Sequence, residues 1–312
     1  FNQINKDLLL NVPLSSATGY TYRYMNAGEM ASDGIEAVLA LKPVKTKSWE
    51  WEAVFDFTRI RNEVKKLAPG VDAVALAAGI AFVAAYEGYP YQSFFAYDWL
   101  RDEHGNVIIN DDPDSPSYGF PVSNYDTLVY MGNYQPDWLL GWSNTVKWKN
   151  ISFSFLLEFK KGGKMINGTR GSLYYFGAHE DTESREPEDL FVFEGVKQSD
   201  GATNDIRVVK DADWYFLGEG STFTGPASQF IDDAGWIRLR EITLSYEFGR
   251  RLLGNALKSL SVYISGRNLW LKTSYKGIDP ETSLLGSVNG QGYDYQNNPG
   301  SKGITFGLRL AL

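Results

Sequence analysis

The residues of this chain that could do chemistry are few, and the densest group of them lies between Gly266 and Thr282, GRNLWLKTSYKGIDPET. Asp279 and Glu281 flank a single proline there. Paired carboxylates can act as general acid and base, hold a calcium ion, or form an acidic turn. A glycosidase pair flanks its substrate across a cleft, whereas these two acids sit on either side of Pro280. The proline fixes its own φ and pushes Asp279 towards extended backbone, while Gly277 permits a bend. This predicts that the two acids anchor and solvate a loop.

Other candidates are sparser. The two histidines stand in turn-like or acidic surroundings, His104 in Asp102-Glu103-His104-Gly105-Asn106 and His179 beside Glu180 and Asp181. Neither has the partner pattern of a triad or a metal site. Asn110-Asp111-Asp112-Pro113-Asp114 opens like a calcium loop, but Ser115 stands where that loop needs Gly and Pro121 where it needs Glu. Gly286 to Gly292, GSVNGQG, lacks the Lys-Ser/Thr ending of a phosphate loop. No catalytic residue, metal site or cofactor is predicted. Aromatic side chains are the better candidates for ligand contact: Tyr97, Trp99, Tyr174, Tyr175, Trp214 and Tyr215 lie in long connecting segments, where rings can stack on sugars or grip peptides.

The composition narrows the class of protein. The 312 residues carry a formal charge of -8, which argues against nucleic acid. With no cysteine, disulfides and thiolate chemistry are excluded. Aromatics make up 15% of the chain, mean hydropathy is -0.29, and no stretch approaches the ~20 apolar residues of a membrane helix.

The elements that must position these residues are strands. Trp49, Trp51, Ala53, Phe55 and Phe57 alternate with Glu50, Glu52, Asp56 and Thr58; Ile151, Phe153, Phe155, Leu157 and Phe159 alternate with Ser152, Ser154, Glu158 and Lys160. The same period of two recurs from Ile242 and from Ile304. Strands are predicted at about 1–10, 28–42, 47–61, 138–148, 151–162, 236–248, 259–271 and 303–312. Many run about 10 to 13 residues, near the ~9–11 of a tilted transmembrane strand and beyond the ~5–6 of globular proteins. Bulky aromatics gather at run ends (Trp49, Trp148, Trp236, Trp270), and short connections alternate with long ones. That is the pattern of a transmembrane barrel with short periplasmic turns and long external loops. The segment 62–137 has room for one more hairpin, around Ser93–Asp98. Loops of this length fit the C-terminal portion of a larger barrel of ~22 strands, and the start at Phe1 without Met or signal-peptide pattern predicts a longer protein.

Ordered motifs along the chain give a family resemblance. Asn268-Leu269, Thr273, Tyr275, Gly277 and Asp279-Pro280-Glu281 resemble the NL…T.Y.G.DPE signature of the SusC/RagA family of TonB-dependent outer-membrane transporters from Bacteroidetes. Trp236 to Tyr246, WIRLREITLSY, resembles its late-strand motif. Asp7-Leu8-Leu9, Val12-Pro13-Leu14, Gly19, Asn26-Ala27-Gly28 and Gly34-Ile35-Glu36 follow its DLL…VP…G…N.G…G.E run, and Gly88-Tyr89-Pro90 with Ser93-Phe94-Phe95 its GYP..SF stretch. Glu241 stands where Asn is frequent, and Leu312 where Phe usually ends the barrel. The resemblance covers nearly all of residues 1–312 and implies the C-terminal segment of the barrel, without the plug domain or the early strands. It implies active nutrient uptake of oligosaccharides or oligopeptides across the outer membrane. The implied partners are a SusD-like surface lipoprotein as lid and the TonB complex, reached through the missing N-terminal part. Two other readings stay open on the sequence: a secreted all-β glycan-binding module or glycoside hydrolase, and a passive porin-like barrel.

Overall fold

A computed structural model describes residues 1–183, 186–249, 257–286, 288 and 290–311. Eight long strands form one antiparallel sheet: β1 (Asn2–Pro13), β2 (Tyr22–Lys45), β3 (Trp49–Lys66), β4 (Trp138–Trp148), β5 (Ile151–Lys161), β6 (Trp236–Glu247), β7 (Ser259–Thr273) and β8 (Gly303–Ala311). Each pairs with the strand that follows it, so the sheet is an unbroken meander. It is open, with β1 and β8 as its edges. The strands fall where the alternation placed them. β2 runs 24 residues, well past the predicted start at 28.

Register explains why alternation was the dominant signal. Trp51 of β3 faces Val146, which faces Phe153, then Leu244, Ile264 and Phe306 across successive strands. Two residues along, Trp49, Trp148, Ile151, Tyr246, Val262 and Leu308 form a second such row. Trp49 and Trp148 stack at 5.7 Å, and Phe55 and Trp142 at 5.8 Å. Many of these side chains are exposed, Leu244 by 48% and Phe306 by 77%. A connected apolar band this large is not a water-facing surface. The opposite face carries Glu52, Thr145, Ser154, Thr243 and Ser265 in one row, joined by a 2.8 Å hydrogen bond from Thr243 Oγ1 to Ser265 Oγ. An apolar outer band over a polar inner face is the side-chain division of a transmembrane barrel wall.

Turns and loops segregate to opposite ends. Residues 46–48 join β2 to β3, with Thr46 Oγ1 accepting from the Trp49 amide at 2.9 Å. Lys149 and Asn150 join β4 to β5, and Lys149 takes φ 51°, the left-handed backbone that tight hairpins require. Most of the β6–β7 connection, and Leu312, lie outside the described residues.

The long connections at the other end fold together into a cap. Segment 67–137 builds its own four-stranded sheet from Ala73–Ala78, Phe82–Tyr86, Ser93–Trp99 and Ser123–Asn133. The strand anticipated around Ser93–Asp98 therefore exists, but β3 pairs directly with β4 and no further hairpin enters the wall. Lys164–Asn167, from the β5–β6 connection, pairs with Ile231–Asp233 on one side and with Tyr293–Asp294, from the β7–β8 connection, on the other. Val83, Phe94, Ile166, Ala227 and Tyr293, drawn from three separate loops, share one buried core. Polar side chains lock the same joint. Tyr275 donates to Asp294 Oδ2 at 2.7 Å, Thr169 to Asp294 Oδ1 at 2.7 Å, and Asn167 to Asp232 Oδ2 at 2.8 Å. Burial and the Asp294 charge push the Tyr275 phenol well above its ordinary range, which keeps it a donor.

Candidate functional site

The signature around Asp279 stands where the loop cap meets the polar face of the sheet. Between Leu239/Trp270 and Glu241/Arg267 the β6–β7 ladder shifts register, so Arg240 opposes two residues, Asn268 and Leu269. Asn268 absorbs this bulge with φ 52°, a left-handed conformation that Asn tolerates better than most residues. The bulge gives the odd-even alternation a local exception after Arg240, while Arg238 and Arg240, two residues apart, share the polar face in the ordinary way and both reach the loop acids. Arg238 Nη2 donates to Asp279 Oδ1 at 2.6 Å. Arg240 donates to Glu281 Oε1 at 2.7 Å and Oε2 at 3.0 Å, to Glu158 Oε2 at 2.6 Å, and to Asn268 Oδ1 at 3.2 Å. Arg238 Nε lies 2.8 Å from Glu281 Oε2, an ion pair whose angle is not that of a hydrogen bond. Both guanidinium groups also lie over the Trp236 ring, at 5.7 and 5.4 Å.

The acids are thus tied to arginines. Asp279 is buried, 6% exposed, and its Oδ1 also accepts from the Glu281 amide at 3.0 Å, closing a turn around the fully buried Pro280. Gly277 is required by proximity: a Cβ there would lie 2.3 Å from the Tyr275 ring. Leu269 covers Gly266, where a Cβ would come within 2.5 Å of its side chain. Asn268 Nδ2 donates to Ser301 O at 3.2 Å, tying the bulge to the far end of the same loop.

A cavity of about 680 Å³ opens beside this cluster, lined by Asp56, Tyr134, Glu158, Lys160, Trp236, Arg240 and Glu281 among others. Burial, together with the Glu281 charge, raises the Tyr134 phenol above its ordinary range. Sequence reading missed Lys160 and Trp236 as a pair, because their adjacency is a matter of β5–β6 register.

The six aromatic candidates lie in the cap, in four groups. Trp99 stacks on Trp214 at 6.1 Å, and Trp214 in turn on Phe120 at 4.7 Å. Tyr174 stacks on His179 at 4.7 Å and on Tyr215 at 5.5 Å, and its hydroxyl bonds Asp181. Burial, then that carboxylate, pushes the Tyr174 phenol up. Tyr175 packs against Phe216 at 4.4 Å and Phe223 at 5.0 Å, and Tyr97 against Tyr125 at 5.3 Å. Trp214 and Tyr215 are buried, whereas Tyr97, Trp99, Tyr174 and Tyr175 are half-buried.

The remaining polar candidates serve the backbone. His179 Nδ1 accepts from the Asp181 amide at 3.1 Å, and His104 is an exposed turn residue. In the calcium-like stretch, Asn110 donates to Ser115 and Ser117, Asp112 accepts from the Asp114 amide, and Asp111 holds Ser199. Among the described residues no group of three His, Asp or Glu is placed to hold a metal ion.

Wall, turns and cap define a segment of a transmembrane β-barrel class of protein. No helix among the described residues is long and apolar enough to cross a membrane, which does not bear on strands. No protein-family model matches the chain. It is 28% identical over 327 residues to TonB-dependent receptor P26 of Formosa agariphila, covering 98% of this chain and 31% of that protein. To TonB-dependent receptor SusC of Bacteroides thetaiotaomicron it is 26% identical over 318 residues, covering 98% and 29%. A solved structure of the RagAB peptide importer in its open-open state superposes with a TM-score of 0.70 at 22% identity, over 100% of this chain and 32% of that one. Relatives and fold together support a SusC/RagA-like TonB-dependent transporter, of which this chain matches a part. The chain spans about a third of the length of the curated relatives it matches.

Proposed function

We propose that this chain is the C-terminal barrel segment of an outer-membrane importer that takes up oligosaccharides or oligopeptides, driven by TonB and covered by a SusD-like surface lipoprotein. The observation that carries this reading is the coincidence of two things. The match to TonB-dependent receptors runs over 98% of the chain, and the sheet is apolar and exposed outside, polar inside, with its long loops all at one end. On this reading β1 to β8 supply the late strands of the wall, and the cap supplies the solute- and lid-facing surface. Tyr97, Trp99, Tyr174 and Tyr175 offer free ring area to solute, while Trp214 and Tyr215 support them from behind. The chain performs no catalysis: Asp279 and Glu281 are bound by arginines in a way that suits an anchor, and a plug and energy coupling come from the rest of the protein.

The test uses the full-length protein in its native host. It should migrate in the outer-membrane fraction, change gel mobility on heating in detergent, copurify with a surface lipoprotein, and lose solute uptake when TonB is deleted. A protein soluble without detergent would end the barrel reading, and uptake indifferent to TonB would reduce it to a porin.

A further inference from the structure

The cavity at the foot of the cap holds one charge that the ionic cluster leaves without a contacting partner. Arg240 is met by Glu158 and Glu281, and Arg238 by Asp279 and Glu281. Lys160 lines the same cavity and is only 9% exposed. Its ammonium makes no ion pair or hydrogen bond among the described residues; it lies 4.5 Å over the face of the Tyr134 ring. Trp236, its register partner in β6, also lines the cavity, and its indole N–H has no acceptor among the described residues. Glu281 attracts it only from a distance, and a buried ammonium with no anion in contact is costly. A desolvated cation–π contact, worth about 2 kcal/mol, offsets part of that cost. Asp56, the unpaired acid on the lining, is exposed and solvated in its own right.

We infer that this cavity is a subsite for a solute bearing a single carboxylate, with the carboxylate on Lys160 and the solute's body against the Trp236 and Tyr134 rings. Lys160 and Trp236 stand at the loop ends of β5 and β6, and Tyr134, Pro136, Pro280 and Glu281 come from the long connections. The cavity therefore opens at the mouth, where an incoming solute first meets the wall. Asp56, Glu158 and Glu281 on the same lining disfavour a polyanion. The carboxylate can be a peptide C-terminus or one uronic acid on an oligosaccharide. This inference rests on the import reading and adds a chemical demand on the solute.

The experiment is binding to the purified full-length transporter with its lipoprotein, using two probe pairs: tetra-alanine against its C-terminal amide, and a trisaccharide with one uronic acid against its reduced neutral form. In one pair the acid should bind about tenfold or more tighter, the scale of one charge-assisted hydrogen bond. That preference should vanish in Lys160→Met and persist in Lys160→Arg, with heat-modifiable mobility showing that both variants are folded. No preference in either pair, no binding of any probe, or a preference unchanged in Lys160→Met would overturn the inference. So would a photo-crosslinker at position 160 that captures the protein's own upstream part whether or not solute is present. TonB-dependent uptake of a neutral solute without acid preference would leave the import reading standing while this one falls; failure of TonB-dependent uptake for every solute would remove both.

Discussion

Asp279 and Glu281 differ in what their loss should do, because burial differs. Asp279 is the acid inside the joint, and its carboxylate faces an arginine that is itself 4% exposed. Asp279→Ala leaves Arg238 with Glu281 alone, and we expect a loss of about 1.5–3 kcal/mol, the worth of a hydrogen bond to a charged group. Glu281 is a third exposed and shares its load with Glu158, so Glu281→Gln should cost under about 1 kcal/mol. The temperature at which the heat-modifiable form converts in detergent measures both; equal shifts would show that burial is not what distinguishes them. Asn268 makes a backbone prediction. Asn268→Gly should be tolerated and Asn268→Val should cost at least about 1–2 kcal/mol, since β-branching opposes φ 52°.

At the scale of the element, the two faces of β5 and β6 should respond oppositely to charge. Ile242 sits mid-strand in the outer row with Phe155, so Ile242→Arg should cost about 2–4 kcal/mol in a bilayer. Ser154, mid-strand on the polar face opposite Thr145 and Thr243, should accept Lys with little loss of folded barrel on gels. Equal damage from both would mean that the apolar band does not face lipid. These strands were legible in the sequence because period two is local: each residue declares its face through its own side chain. Trp51, Phe153 and Leu244 could be put on one surface before any pairing was known. The bulge at Arg240 was not legible, since it depends on how β6 meets its neighbours; Arg238 and Arg240 share a face by ordinary alternation, and what the bulge adds is Asn268 beside Arg240. Of the cap strands, the one around Ser93–Asp98 was anticipated and the others were hidden for a related reason. Ala73–Ala78 and Phe82–Tyr86 are short, and their packing rests on partners from other loops.

At the scale of the molecule, the cap is held by contacts between loops, and one of them titrates. Ser228 donates to Asp98 Oδ1 at 2.6 Å and Arg101 to Oδ2 at 2.8 Å, joining the first long loop to the second. Burial works against the Asp98 charge, but these hydrogen bonds and the Arg101 charge hold its carboxyl below the usual range. A depressed folded pKa gives stability that is complete above the unfolded value of ~3.9 and lost as pH falls through the folded one. Hydrogen-exchange protection factors, corrected for the intrinsic pH dependence of exchange, should therefore be steady in residues 93–99 and 227–230 from neutral pH to about 5 and fall below about 4. Asp98→Asn should remove that acid step; a step that survives the substitution belongs to another group. The opposite sign applies to Tyr125, whose phenol burial and Glu219 push up to about 12, so its donor bond to Glu219 persists at all ordinary pH.

The shared core of the cap also bears on how such a protein can change over evolutionary time. Val83 and Phe94 come from one loop, Ile166 and Ala227 from a second, and Tyr293 from a third, yet they bury one another. A graft of any one loop from a relative would carry in half of a fitted joint and leave the other half behind. On the proposed import function, new solute preferences should then be inherited through exchange of all three loops as a block, or through single changes on ring faces the core does not use. Chimeras made one loop at a time would be expected to misassemble even where every parent folds.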